Sequence, residues 1–239
     1  MIKKLGLASL VILGACAGSS PKPEPAPVLR PSAGTITLRA AWRSTVVAER
    51  DDSIVLTLPS GTRQLQRVRR FATFTLSTGP TGKVSVHLDS SRTDPAGGST
   101  QDLSSLAEQL VPRIPAAGAR PNSSWVDSAT GPAVTDVFKV NERRLATWTV
   151  GSPGGSPMPI RLKEEFEQIG SGTSADQKLT YTSQGRRSGT YYLDRDGKVL
   201  TAQLRDSALI SIGVPASKTL MSGTRVTRTE IRFIPMGGD

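Results

Sequence analysis

The chain of 239 residues has one cysteine and one histidine. A lone cysteine excludes an internal disulfide, and one cysteine with one histidine cannot complete a structural zinc site. The same shortage argues against a Ser-His-Asp or Cys-His catalytic centre. Aromatic residues make up only 5% of the chain. No apolar run approaches the roughly 20 residues that a membrane-spanning helix needs. The sequence strings of a hydrolase nucleophile elbow, a zincin helix and a P-loop are all missing. What remains is a chain that is 36% hydrophobic and 21% charged. That composition is too apolar for a disordered protein and too polar for a polytopic membrane protein.

The N-terminus carries the sharpest signal. Lys3 and Lys4 precede an apolar run from Leu5 to Leu13, and small residues then lead to Cys16. A basic n-region, a short h-region and a small-residue exit form the pattern of a secretory signal peptide. Leu13-Gly14-Ala15-Cys16 resembles the lipobox of bacterial lipoproteins. The resemblance implies signal-peptidase recognition through Leu13, Gly14 and Ala15, and lipidation of the Cys16 thiol, which becomes the first residue of the mature protein. Two or three acyl chains, at about 0.8 kcal/mol per buried methylene, anchor a protein durably where a single chain does not. Ala17 follows the cysteine. An Asp at that place signals inner-membrane retention in Gram-negative lipoproteins, so the expected location is the outer membrane, facing the periplasm.

The formal charge of +10 falls by two when Lys3 and Lys4 leave with the leader. On an exported chain this excess points to phospholipid headgroups or an anionic envelope polymer, not to nucleic acid. Residues 16–34 continue from the lipidated cysteine into a tether with Pro21, Pro23, Pro25 and Pro27 in alternation. Such a run favours extended polyproline II at about 3.1 Å per residue, a spacer of roughly 45 Å at full stretch.

From residue 35 to 239 the sequence reads as one β-rich domain. Ile36-Leu38-Ala40-Trp42, Ile54-Leu56-Leu58 and Val84-Val86-Leu88 alternate with polar residues, the period of a half-buried strand. Similar stretches occur at Thr62 to Leu76, Val134–Val140, Leu145–Val150, Leu179–Tyr181, Thr190–Leu193, Val199–Ile212 and Val226–Ile234. About ten strands with short turns and no βαβ rhythm predict a large, curved antiparallel sheet or open half-barrel. One helix is expected near 100–111, where Leu103, Leu106, Ala107 and Leu110 share a stripe before Pro112, covering the open face of the sheet. Residues 160 to 169 fit either helix or strand, and their hairpin-like flanks favour strand. The body resembles β-rich lipoproteins of bacterial envelopes. It is similar in architecture to the half-barrel carriers of lipids and lipoproteins, which implies an apolar cavity between sheet and helix and a lipid or amphiphile as ligand.

Few residues suggest chemistry. Arg67 and Arg69 share one strand face, as do Arg228 and Arg232, so these four are the candidates for anion binding, and the alternative to a ligand carrier is a scaffold or interaction module that grips an anionic envelope polymer or a partner protein through them. On a strand, Glu164 points with Leu162 and Phe166, where burial raises a carboxyl pKa. His87 lies on a polar face with Ser85 and Asp89. Asp194-Arg195-Asp196-Gly197 is a fragment of a calcium loop without its remaining ligands, and a hairpin accounts for every residue. No catalytic residue, metal or cofactor is expected, and the reading is of a non-enzymatic protein. Replacing the sulfur tests the anchor. Wild-type protein from cells fed labelled palmitate should carry the label, and Cys16→Ser protein should carry none. Label on the variant would refute the lipobox reading.

Overall fold

Period-two alternation gives a strand one apolar face, and a single sheet can bury such a face only by curling over it or by being covered. Both happen in the computed structural model, which describes residues 35–36, 43–78, 84–96, 106–134, 137–152 and 157–235. Nine strands follow one another: β1 (Arg43–Thr57), β2 (Arg63–Thr78), β3 (Val84–Asp94), β4 (Ser124–Val134), β5 (Phe138–Val150), β6 (Met158–Ser174), β7 (Gln177–Leu193), β8 (Val199–Val214) and β9 (Thr219–Pro235). They form one antiparallel sheet in the order β3-β2-β1-β9-β8-β7-β6-β5-β4, which does not close into a barrel. Every neighbouring pair except β1–β9 is a sequential hairpin, and β9 returns to seal β1 into the middle of the sheet.

Two of the hairpin turns place glycine at a positive φ. Gly61 (φ +82°) ends the β1–β2 turn and Gly197 (φ +80°) the β7–β8 turn, conformations that cost glycine little. In the second turn Asp194 Oδ1 accepts hydrogen bonds from the backbone N–H groups of Asp196 (2.9 Å) and Lys198 (2.8 Å). The Asp194 carboxylate therefore builds the turn. Among the described residues there is no group of His, Cys, Asp or Glu that could hold a metal ion.

One face of the sheet is buried from β2 across to β5, with Val84 and Val86 of β3 and Trp125 of β4 packed against it partly buried. Val46, Ala48, Ala72, Phe74, Leu76, Trp148, Val150, Ile160, Leu162, Tyr191, Leu193, Leu204 and Ile231 belong to the main core. Leu106 and Leu110 complete it, both fully buried. Leu106 and Ala107 are helical and the chain then runs through turns to Ala119. This segment lies over the inner face: Tyr191 donates a hydrogen bond to the Gln109 carbonyl (2.8 Å) and Trp125 Nε1 to the Arg113 carbonyl (3.0 Å). The helix expected at 100–111 is not formed where the chain is described: only Leu106 and Ala107 are helical and 108–111 are turns and bends, while residues 100–105 lie outside the described residues. So do residues 37–42 of the first expected strand, whose Ile36 forms a bridge with Ala119.

Several expected strand limits need correction. In the stretch Val134–Val140, Val134 ends β4 and Phe138 to Val140 begin β5, with residues 135–136 outside the described residues. Leu179–Tyr181 and Thr190–Leu193 are two ends of one strand, β7. Between them Ser183, Gly185, Arg187 and Gly189 face inward, a polar and glycine-rich middle that reads as a turn. Gly185 is needed there, because a Cβ would lie 2.6 Å from the Phe166 ring on β6 and 2.7 Å from Ala208 on β8. Strand β4 contains Gly131 and Pro132, which mask it in the sequence; at a sheet edge proline is tolerated. Residues 160–169 are strand, within β6.

Candidate ligand-binding cavity and polar belt

A row of cross-strand neighbours on the inner face is polar instead of apolar. Asp52 on β1 faces Thr227 on β9, which faces Asp206 on β8, then Arg187 on β7 and Glu164 on β6. All five are buried. They divide the main core from a second apolar cluster of Phe138, Val140, Phe166, Tyr181, Ala208 and Ile210.

At the β1 end, Asp52 accepts hydrogen bonds from Arg50 Nε (3.3 Å), from the Thr227 hydroxyl (2.6 Å) and from Arg70 Nη1. Burial alone would push the Asp52 carboxyl up. The Arg50 guanidinium, the Thr227 hydroxyl and Arg70 outweigh it and hold the group below its ordinary value. In the middle, Arg187 grips Asp206 through Nε (2.9 Å) and Nη2 (3.0 Å), and Glu164 through Nη1 (2.7 Å). A planar guanidinium suits this three-point contact. Burial pushes the Glu164 carboxyl above its ordinary value, with Glu142 and Asp206 adding to the rise against the pull of Arg187. Gln168 extends the network by donating to Glu142 (2.6 Å).

Beyond the belt the inner face opens into a cavity of about 250 Å³. Ile54 and Leu56 of β1, Val68 of β2, Tyr181 of β7 and Ile210 and Ile212 of β8 form its apolar walls. Val137 and Phe138, at the start of β5, face them from across the curl of the sheet. Phe138 is stacked on Tyr181, with ring centroids 4.7 Å apart. Arg50, Asp52, Arg70 and Arg225 make one end polar. A cleft with apolar walls and a few convergent polar groups is the usual form of a small-molecule site, although this volume lies just below the usual range of about 300–1,000 Å³. A larger depression of about 820 Å³ lies among Leu145, Glu165, Glu167, Arg186 and Leu209. It is more open and its lining alternates charges, so it offers less apolar enclosure.

The arginines singled out from the sequence sit on the outer face. Arg67 and Arg69 share one side of β2, and Arg228 and Arg232 share one side of β9, with β1 between the two strands. Arg69 is paired with Asp51 (2.7 Å) and Glu49 (3.5 Å), and Arg232 lies 3.9 Å from Glu230. Arg228 stands opposite Arg205 in the β8–β9 ladder. Lys163 and Ser188 continue that row onto β6 and β7. His87 is exposed, 3.9 Å from Asp89. Glu164 does point inward between Leu162 and Phe166, but Arg187 holds it and it does not line the cavity. Leu13, Gly14, Ala15 and Cys16 lie outside the described residues. The sequence reading missed Arg50, Asp52, Arg70 and Arg225, although their parity with Ala48, Ala72 and Thr227 places them on the inner face.

Comparison with protein-family models, curated proteins and solved structures finds no match for the chain.

The belt makes a test of its own. Asp52→Asn leaves two buried guanidinium groups without their carboxylate and should destabilise the fold by about 3–5 kcal/mol near neutral pH. Because the Asp52 value is depressed on folding, its contribution is present at neutral pH. It is lost as pH falls through the folded value, below the ordinary 3.8. Urea unfolding across this range should show the acid-side slope in the wild type and a weaker one in the variant; equal slopes would contradict the assignment.

Proposed function

We propose that the chain is a non-enzymatic, lipid-anchored protein of the bacterial envelope, held at the outer membrane through Cys16 and facing the periplasm, whose open sheet receives an apolar or amphiphilic ligand. The observation that carries the binding function is the cleft between β1 and the start of β5: apolar walls with a polar group of side chains at one end. Its volume suits one slender chain better than a bulky ring system. The leader and the proline-rich tether support the location, since they place a folded body at a distance from a bilayer. The described residues include no helix long and apolar enough to cross a membrane.

A ligand in this cleft contacts Leu56, a half-buried wall residue. Leu56→Trp should fill the space and reduce binding of a fluorescent straight-chain polyene fatty acid at least fivefold, with the unfolding midpoint little changed, since volume added at a half-buried site can relax outward. Undiminished binding would place the apolar site elsewhere.

A second reading is favoured by one observation on the outer face. Arg205 and Arg228 are opposed in neighbouring strands, an arrangement that costs stability unless an anion offsets it, and both line a shallow hollow of about 330 Å³ with Ser188, Thr190, Gln203 and the single carboxylate of Glu230. This surface fits phosphate groups of an anionic envelope polymer. Association with lipopolysaccharide should then weaken steeply with salt, and Arg205→Ser with Arg228→Ser should remove most of it. A salt-independent association, or one untouched by the two substitutions, would dispose of this reading.

A further inference from the structure

Resting on the ligand-binding reading of the inner cavity, we infer that its ligand is a single-chain amphiphile with one anionic headgroup, and that Arg225 receives that headgroup. Three guanidinium groups and one carboxylate line the polar end of the cavity. Asp52 is the carboxylate, and Arg50, Arg70 and Thr227 take up its oxygens. Arg225 adds only the last and smallest of the influences on Asp52.

The placement of Arg225 is set by the ladders. It stands between Ile54 on β1 and Ala208 on β8, pointing to the inner face just past the polar belt. Its Nε is buried and has no hydrogen-bond partner among the described residues. A buried cationic donor without an acceptor is unfavourable, and an oxyanion can satisfy it while using the flanking N–H of the same planar group. A second buried polar atom without a partner, Ser183 Oγ, lies on the same face. Ser183 is the ladder partner of Ile210, a wall residue of the cavity. The charge at this end therefore calls for an anion, and the walls beyond it call for a hydrocarbon. Joined in one molecule, these are a fatty carboxylate or its phosphate counterpart. The cavity of about 250 Å³ admits one chain and excludes a double-chain lipid bound in full.

Three probes of equal chain length separate the headgroup from the chain: hexadecanoate, hexadecanol and hexadecyltrimethylammonium. Their affinities for the full mature protein are measured by displacement of a fluorescent polyene fatty acid, each probe kept below its micellar concentration or solubility limit. Hexadecanoate should bind at least about tenfold more tightly than hexadecanol, and the cationic probe should bind most weakly. Arg225→Gln should lower hexadecanoate affinity by about tenfold and leave hexadecanol affinity unchanged, which also shows that the variant is folded. Arg225→Lys should retain part of the preference for the anion, since it keeps the charge but loses the fork. Equal binding of acid and alcohol, or an Arg225→Gln protein with wild-type preference, would overturn the headgroup assignment while sparing the apolar site. Failure of all three probes to bind the wild type would overturn both.

Discussion

A single sheet has two faces and only one of them can be buried without a second layer. Most of what this molecule does structurally follows from that limit. The inner side chains of nine strands must serve as one half of a core whose other half is supplied by the curl of the sheet and by the segment from Leu106 to Ala119. Tyr191 and Trp125, through bonds to the carbonyls of Gln109 and Arg113, fasten that cover. The cover reaches the main core and stops there. The second cluster around Phe138, Tyr181 and Ile210 packs against the opposite side of the curl, and it is there that the cavity lies.

The polar belt is the boundary between these regions. Buried ion pairs contribute little net stability compared with well-packed apolar groups, because desolvation offsets attraction. Their effect is geometric: each member demands its partner, so the five-strand row from Asp52 to Glu164 fixes the register of β1, β9, β8, β7 and β6 at once. A slip of one residue would bury the outer-face arginines and expose the core. The belt also gives the cavity its polar end, so the same side chains that align the strands shape the site beside them.

Much of this architecture is legible in the sequence. The antiparallel sheet and the inward turn of Glu164 follow from alternation, since Leu162 and Phe166 flank it at even spacing. Arg225 was within reach by the same logic: Thr227, Ile231 and Phe233 share its parity, whereas Arg228 and Arg232 belong to the opposite face. What hid Arg50, Asp52 and Arg70 is their company. They sit in a charged run, Glu49 to Asp52, and beside Arg69, where a surface reading is the natural one. The ladder between Arg205 and Arg228 could not be read at all, because opposition across strands depends on register and not on the spacing along either strand. Strand β4 was lost to Gly131 and Pro132, residues whose usual meaning is a turn.

Those two residues have a consequence beyond their own strand. A sheet that stays open has two margins, β3 and β4, each with backbone groups that could recruit a copy of the other and extend into a fibre. Here the margins are poor templates. Pro132 removes a donor from one, while the other presents His87, Asp89, Arg92 and Asp94 among its eleven residues, mostly exposed. Growth of a ribbon from molecule to molecule is thereby interrupted at both ends, and an unclosed barrel can exist at high local concentration as separate particles.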